Sequence, residues 1–273
     1  MLRTSALALL LLCLPLAGNA LDLEDCRITA GPGYPGIKAR CGTFARPLDP
    51  ARPDGEQLEL KVAVVPALDL TPEPDPLVPL AGGPGGSAIQ FYSAYAAAFE
   101  PVRRKRDILL IDQRGTGESA HMDCPIDDDA ILYETEFTAE DTIKYMQECL
   151  DALPHDPRYF TTSVAVTDLE AIREALGYTA LNLYGVSYGS RMAQHFARRY
   201  PDSTRTVVID GVVPPQIALG PEIATESQKA VDNILARCAA DEHCSERFPN
   251  IVETFDRVVA ALREGPVDVT VPH

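Results

Sequence analysis

The chain has 273 residues, enough to bury the core of one α/β domain with an insertion, and it carries a formal net charge of −16. That acidity argues against nucleic acid or an anionic membrane as partner, because both select basic surfaces. It is read here as a source of solubility.

Residues 1–20 read as an export signal. Arg3 gives the positive start, residues 6–16 the apolar run, and Gly18-Asn19-Ala20 a small-residue cleavage site. The run is too short for a stable membrane span. Cys13 follows Leu12 and lacks a lipoprotein setting. Cleavage after Ala20 and delivery to the periplasm or the exterior are expected.

Six cysteines remain beyond that point, and an even number in an exported chain points to disulfides. Proximity favours the pairs Cys26–Cys41, Cys124–Cys149 and Cys238–Cys244 among the many possible. Zinc is the rival reading, but there is no CxxC pair and His243 is the single histidine near any cysteine cluster, so no metal is expected.

Taken in order, residues 26–47 are rich in Gly and Pro, with extended character over 37–44, and read as an edge hairpin or N-terminal arm. Residues 58–68 alternate and then become continuously apolar, the mark of a strand. Residues 71–76 read as a proline-rich turn, and 77–80 as a short buried strand that runs into Ala81-Gly82-Gly83-Pro84-Gly85-Gly86-Ser87. That loop has neither the Gly-Lys-Ser/Thr nor the GxGxxG of a phosphate cradle. Its backbone suits an oxyanion loop, and Pro84 stiffens it into one shape.

Residues 87–99 carry Ile89, Tyr92, Tyr95 and Phe99 at helical spacing. The cluster Arg103-Arg104-Lys105-Arg106 reads as a solvated connection to the next buried strand, 108–111. That strand ends in Asp112-Gln113-Arg114-Gly115-Thr116-Gly117-Glu118-Ser119, where Asp112 and Arg114 either face substrate or hold neighbouring loops. Asp127-Asp128-Asp129 lacks calcium-loop spacing and reads as a solvated helix cap. Helices follow over 138–150 and 163–176, the second with Ala165, Leu169, Ile172 and Leu176 on one stripe and Gly177 as its stop.

Residues 181–184 read as a buried parallel strand leading directly into Gly185-Val186-Ser187-Tyr188-Gly189, with an amphipathic helix over 191–200 behind it. Strand, sharp turn and helix form the setting of a nucleophile elbow, in which the serine oxygen is pushed out above the sheet. The helix start aims its positive end and free N–H groups at a forming oxyanion. A further strand covers 206–209, and 222–264 is helical with a break at 238–249. The order gives an α/β fold with a doubly wound, mostly parallel sheet over residues 21–215, and a covering helical segment over 216–273.

Read together, LAGGPGGS (80–87), DQRGTGES (112–119), NLYGVSYGSRMA (182–193) and VVIDGVVPP (207–215) resemble the α/β-hydrolase fold. More narrowly they resemble the exported serine aminopeptidases of the proline iminopeptidase and tripeptidyl aminopeptidase group, over residues 35–265. The segment ARCAADEHCSERFP (236–249) is similar to the start of that group's helical cap, cysteine pair included. The resemblance implies Ser187 as nucleophile and the backbone N–H groups of Gly83 and Tyr188 as the oxyanion hole. It implies acyl transfer from a peptide substrate without a cofactor, with Glu222 or Glu226 available to the substrate's free amine. Ester hydrolysis by the same parts is the enzymatic alternative. A non-catalytic peptide-binding relative is the other.

The fold's order is Ser, then Asp or Glu, then His. His121 and His155 precede Ser187 and read as loop residues. His195 lies about 12 Å along the helix after Ser187 and points away. His243 falls in the cap-like cysteine loop, and His273 is the last residue. None is a persuasive base. Asp210 serves either as an acid or as a structural turn residue. The family's acid and base follow its cap, so the chain is expected to stop before both and to be inactive by itself.

Overall fold

The computed structural model describes residues 21–124, 138–218, 220–265, 267 and 269. The signal-peptide reading, the reading of Asp127–Asp129 and His273 lie outside the described residues. The chain forms two compact units, Met1–Pro215 and Gln216–His273.

The first unit is built on a seven-stranded sheet: β1 (Glu24–Ile28), β2 (Ile37–Pro47), β3 (Gln57–Val65), β4 (Glu73–Leu80), β5 (Arg106–Ile111), β6 (Leu181–Val186) and β7 (Thr204–Asp210). Their spatial order is β1-β2-β3-β5-β4-β6-β7. The sheet is mixed, not mostly parallel. The β1–β2, β2–β3 and β3–β5 pairs are antiparallel, whereas β5–β4, β4–β6 and β6–β7 are parallel. Hydropathy alone does not separate the halves, since strands buried on both faces are apolar throughout in either direction. The Cys26 and Cys41 sulfurs join β1 to β2, and Cys124 joins Cys149.

Residues 71–76 correct the turn expectation, because β4 begins at Glu73 and contains Pro74 and Pro76. Pairing of β4 to β5 slips between Glu73 and Leu77, which accommodates residues unable to donate to a ladder. The basic cluster is likewise more than a solvated link. Arg103 ends helix α1 (Ala88–Arg103), and Arg106 opens β5 while its guanidinium donates to Asp75 at 3.1 Å.

Successive residues of the central strands serve opposite faces. Leu60, Val62, Val78, Leu80, Leu109, Leu181 and Leu183 pack beneath helices α3 (Thr162–Ala175) and α4 (Tyr188–Arg199), against Ala165, Leu169, Ile172, Met192 and Phe196. On the other face Ala63, Val65, Leu77, Ile108 and Leu110 pack on Ile89, Tyr92 and Phe99 of α1. Two cores on one sheet explain why the strands read as continuous apolar runs. Helix α2 (Ala139–Ala152) starts from a capping box in which Thr138 and Asp141 exchange hydrogen bonds. Helix α3 is capped by the Thr161 hydroxyl, and Gly177 at φ 73° follows its end.

The second unit holds α5 (Ile223–Ala240), α6 (Glu242–Arg247) and α7 (Ile251–Glu264). A disulfide between Cys238 and Cys244 links α5 to α6, and α5 also packs on α7.

One ion pair ties the first unit together. The Arg114 side chain is fully buried and donates to both Asp168 oxygens, at 2.7 and 2.9 Å. It also donates to the carbonyls of Pro47, Leu48 and Tyr159. Arg46 of β2 donates to the same Asp168 at 3.0 Å. A buried pair of this sort is costly to break, because the surviving charge is left without a partner. Asp168→Asn is therefore expected to lower the unfolding free energy by about 3–5 kcal/mol, read from urea denaturation. A loss of under about 1 kcal/mol, the scale of a surface pair, removes the carboxylate from this role.

Candidate active site

Strand β6 ends at Val186 and helix α4 begins at Tyr188, so the whole reversal rests on Ser187. Its backbone sits at φ 53°, ψ −121°, a region that costs a non-glycine residue roughly 1–3 kcal/mol. The neighbours hold it there. A Cβ on Gly185 would stand 2.3 Å from the Gly189 carbonyl oxygen, and one on Gly189 would stand 2.0 Å from that of Leu80. Neither position has room for a side chain. The Ser187 N–H donates to the Asp210 carbonyl at 2.8 Å, and its carbonyl accepts from the Ser190 hydroxyl at 2.6 Å. Ser190 in turn accepts from the Val213 N–H at 2.8 Å, which fastens the segment after β7 to the start of α4.

The glycine loop lies alongside. Because β4 neighbours β6, the segment leaving Leu80 emerges next to the bend. A Cβ on Gly82 would lie 3.0 Å from the Ser187 Cβ and 3.5 Å from its hydroxyl oxygen. The loop is closed by the Gly86 N–H donating to the Gly82 carbonyl at 3.1 Å, and Gly83 takes φ 111°. Tyr188 is the first residue of α4, so its N–H has no acceptor within the helix. Its phenol is held by a 2.7 Å hydrogen bond with the Thr162 hydroxyl and a 3.4 Å one from the Gln113 amide. Ser187, Gly82, Gly83 and the start of α4 thus share one corner, where an alkoxide and a developing oxyanion would meet backbone donors and a positive helix end.

The other named residues are placed differently. The Asp210 carboxylate accepts from the Tyr184 phenol at 2.8 Å, and that bond is the main cause holding Tyr184 above the usual phenol range. His155 pairs with Glu56 at 2.7 Å, and His121 lies 3.4 Å from Asp123. His195 lies within α4, eight positions from Ser187, where burial, then Arg198 and Arg199, lower its pKa. His243 sits in α6 of the second unit. Among the described residues, no side chain hydrogen-bonds the Ser187 hydroxyl. Glu226 is paired to Lys229 at 2.7 Å. Among the described residues, no group of three His, Cys, Asp or Glu side chains suits a metal ion, and no helix is long and apolar enough to cross a membrane.

Three residues escape the motif reading. Gly82 packs against Ser187, and the doubled glycine was its one signal. Asp168 is buried at the core of α3, a charge on the stripe of Ala165, Leu169 and Ile172 that was itself the clue. Ser87 donates to Asp112 at 2.7 Å, a contact no local pattern encodes.

The chain is 30% identical to a tripeptidyl aminopeptidase of Streptomyces coelicolor, over 92% of this chain and 50% of that protein. It is 30% identical to the serine protease Hip1 of Mycobacterium tuberculosis, over 84% of this chain and 47% of that one. A solved proline iminopeptidase-related protein from Thermus thermophilus aligns at 25% identity with a TM-score of 0.39, covering 62% of this chain and 44% of its own. The chain spans about half the length of the curated relatives it matches. The family model described as the alpha/beta hydrolase fold matches residues 75–239, and with the sheet, the glycine loop and the serine bend in place, the chain belongs to the alpha/beta hydrolase fold family.

Proposed function

We propose that this chain bears the nucleophile and oxyanion-binding parts of an exported serine aminopeptidase, which releases N-terminal residues or short peptides through an acyl-enzyme on Ser187. The observation that carries the reading is Ser187 held at φ 53° against the glycine loop. The Ser187 oxygen attacks the scissile carbonyl. The N–H groups of Gly83 and Tyr188 bind the resulting oxyanion, the amine leaves carrying the proton given up by the serine hydroxyl, and water releases the acyl group. Peptide as substrate class is supported by the tripeptidyl aminopeptidase and serine protease relatives. Export is supported by the three disulfides together with the N-terminal apolar run.

A serine hydroxyl needs a proton acceptor. The described histidines are engaged with Glu56 and Asp123, set along α4, or carried in the second unit. Among the described residues, no hydrogen bond joins His121, His155 or His195 to Ser187, and the chain alone is expected to be slow.

A fluorophosphonate should label the full chain at Ser187, slowly for want of a close proton acceptor among the described residues, with labelling abolished in Ser187→Ala. Labelling that persists in the variant removes Ser187 as nucleophile. Turnover of tripeptidyl p-nitroanilides by the chain alone is expected to be at or near background, and brisk turnover abolished by replacing any one of His121, His155, His195 or His243 would make that residue the base. In a form that does turn over, free-amine peptides should be cleaved far better than N-acetylated ones. Preference for p-nitrophenyl esters over both would assign an esterase instead.

A further inference from the structure

Asp112 joins the start of α1 to the loop that follows β5. It is 2% exposed, and its carboxylate accepts from the Ser87 hydroxyl at 2.7 Å, the Ile89 N–H at 3.2 Å and the Glu118 N–H at 3.2 Å. The fold reserves space for it. A Cβ on Gly117 would stand 2.0 Å from one carboxylate oxygen, and Gly117 already sits at φ 52°. Ser87 is both the end of the glycine loop and the cap of α1, and its oxygen accepts from the Gln90 N–H at 3.1 Å.

The loop between Leu80 and Ser87 contains Gly82, Gly83, Gly85 and Gly86, residues with little intrinsic preference for one backbone shape. Its near end is fixed by the pairing of β4 with β6. Its far end is fixed at Ser87. Capping of α1 needs only the Ser87 oxygen as acceptor, as most helix starts do. The bond from the Ser87 hydroxyl proton to a buried carboxylate adds something else: a charge-assisted tie that sets where the loop ends.

We propose that Asp112 is a positioning residue for the oxyanion-binding loop, acting through Ser87 to keep the Gly83 N–H aimed at the space beside Ser187. This rests on the reading of Ser187 as nucleophile and Gly83 as oxyanion donor. Asp112 touches no reacting atom, so its removal leaves the hydroxyl and the α4 end in place and shifts one donor.

Two measurements on the full chain test it together: the rate at which a fluorophosphonate labels Ser187, and amide exchange over residues 82–87. Loss of an oxyanion donor costs about a hundredfold or more, so displacing one by Ser87→Ala or Asp112→Asn is expected to slow labelling about tenfold. Exchange over 82–87 should rise by about the same factor while β5 and the body of α1 keep their protection. Ser87→Thr retains the hydroxyl and should label within about twofold of the parent chain, since Thr serves nearly as well as Ser in such a position. Gly117→Ala, which displaces the carboxylate, should behave like Asp112→Asn. Parent-like labelling and exchange in Ser87→Ala overturns the proposal, whether or not Asp112→Asn folds. Protection lost equally across α1, β5 and the loop also overturns it, since Asp112 is then a general anchor. If the parent chain is not labelled at Ser187, the functional reading fails, and exchange over 82–87 alone decides the tie.

Discussion

Closeness at the bend governs this structure. The Gly189 backbone rests against the Leu80 carbonyl so tightly that a methyl group there would stand 2.0 Å from the oxygen. That approach brings the first turn of α4 to the end of β4, and it exists only while Ser187 holds φ 53°. Strand order supplies the rest. From β4 the chain crosses by α1 to β5 on one side, and it later returns to β6 on the other. At such a reversal the loops leaving adjacent parallel strands diverge and open a crevice. The glycine loop after β4 and the bend after β6 are the two lips of that crevice. Strain at Ser187 is maintained by packing on both sides.

The interior electrostatics follow from one short segment. Asp112 and Arg114, two residues apart after β5, run to different walls: one to the start of α1, the other to Asp168 of α3. Their side chains are nearly dry, and the bonds those side chains make are charge-assisted. A protein with a formal charge of −16 thus buries a small number of closely matched polar groups and leaves the excess acidity outside. Buried networks of this type fix geometry more than they add net stability.

Much of the fold was legible in the sequence because its signals are local. Each central strand is an apolar run buried on both faces, and helices α2 and α3 carry their own caps. The serine bend was legible for the same reason, since the two glycines that permit it lie within two positions. Strand direction was not legible, because hydropathy does not encode it. The first half of β4 was hidden by Pro74 and Pro76, whose usual meaning is a turn. The ties that shape the corner were hidden by separation: Ser87 and Asp112 are 25 positions apart, Arg114 and Asp168 54. A candidate base was not legible in the sequence; His155 and His121 are engaged with Glu56 and Asp123, and His195 lies along α4.

Strand β7 is hydrogen-bonded to β6 on one side, and among the described residues it has no neighbour on the other. Val207, Val208 and Ile209 follow one another there at 39, 51 and 39% exposure. Three β-branched side chains in a row, with neither a proline nor a lysine among them, offer nothing that turns away a passing extended chain. Such an edge is a template to which an extended chain can add, and a lysine grafted at Val208 is the natural way to discourage it.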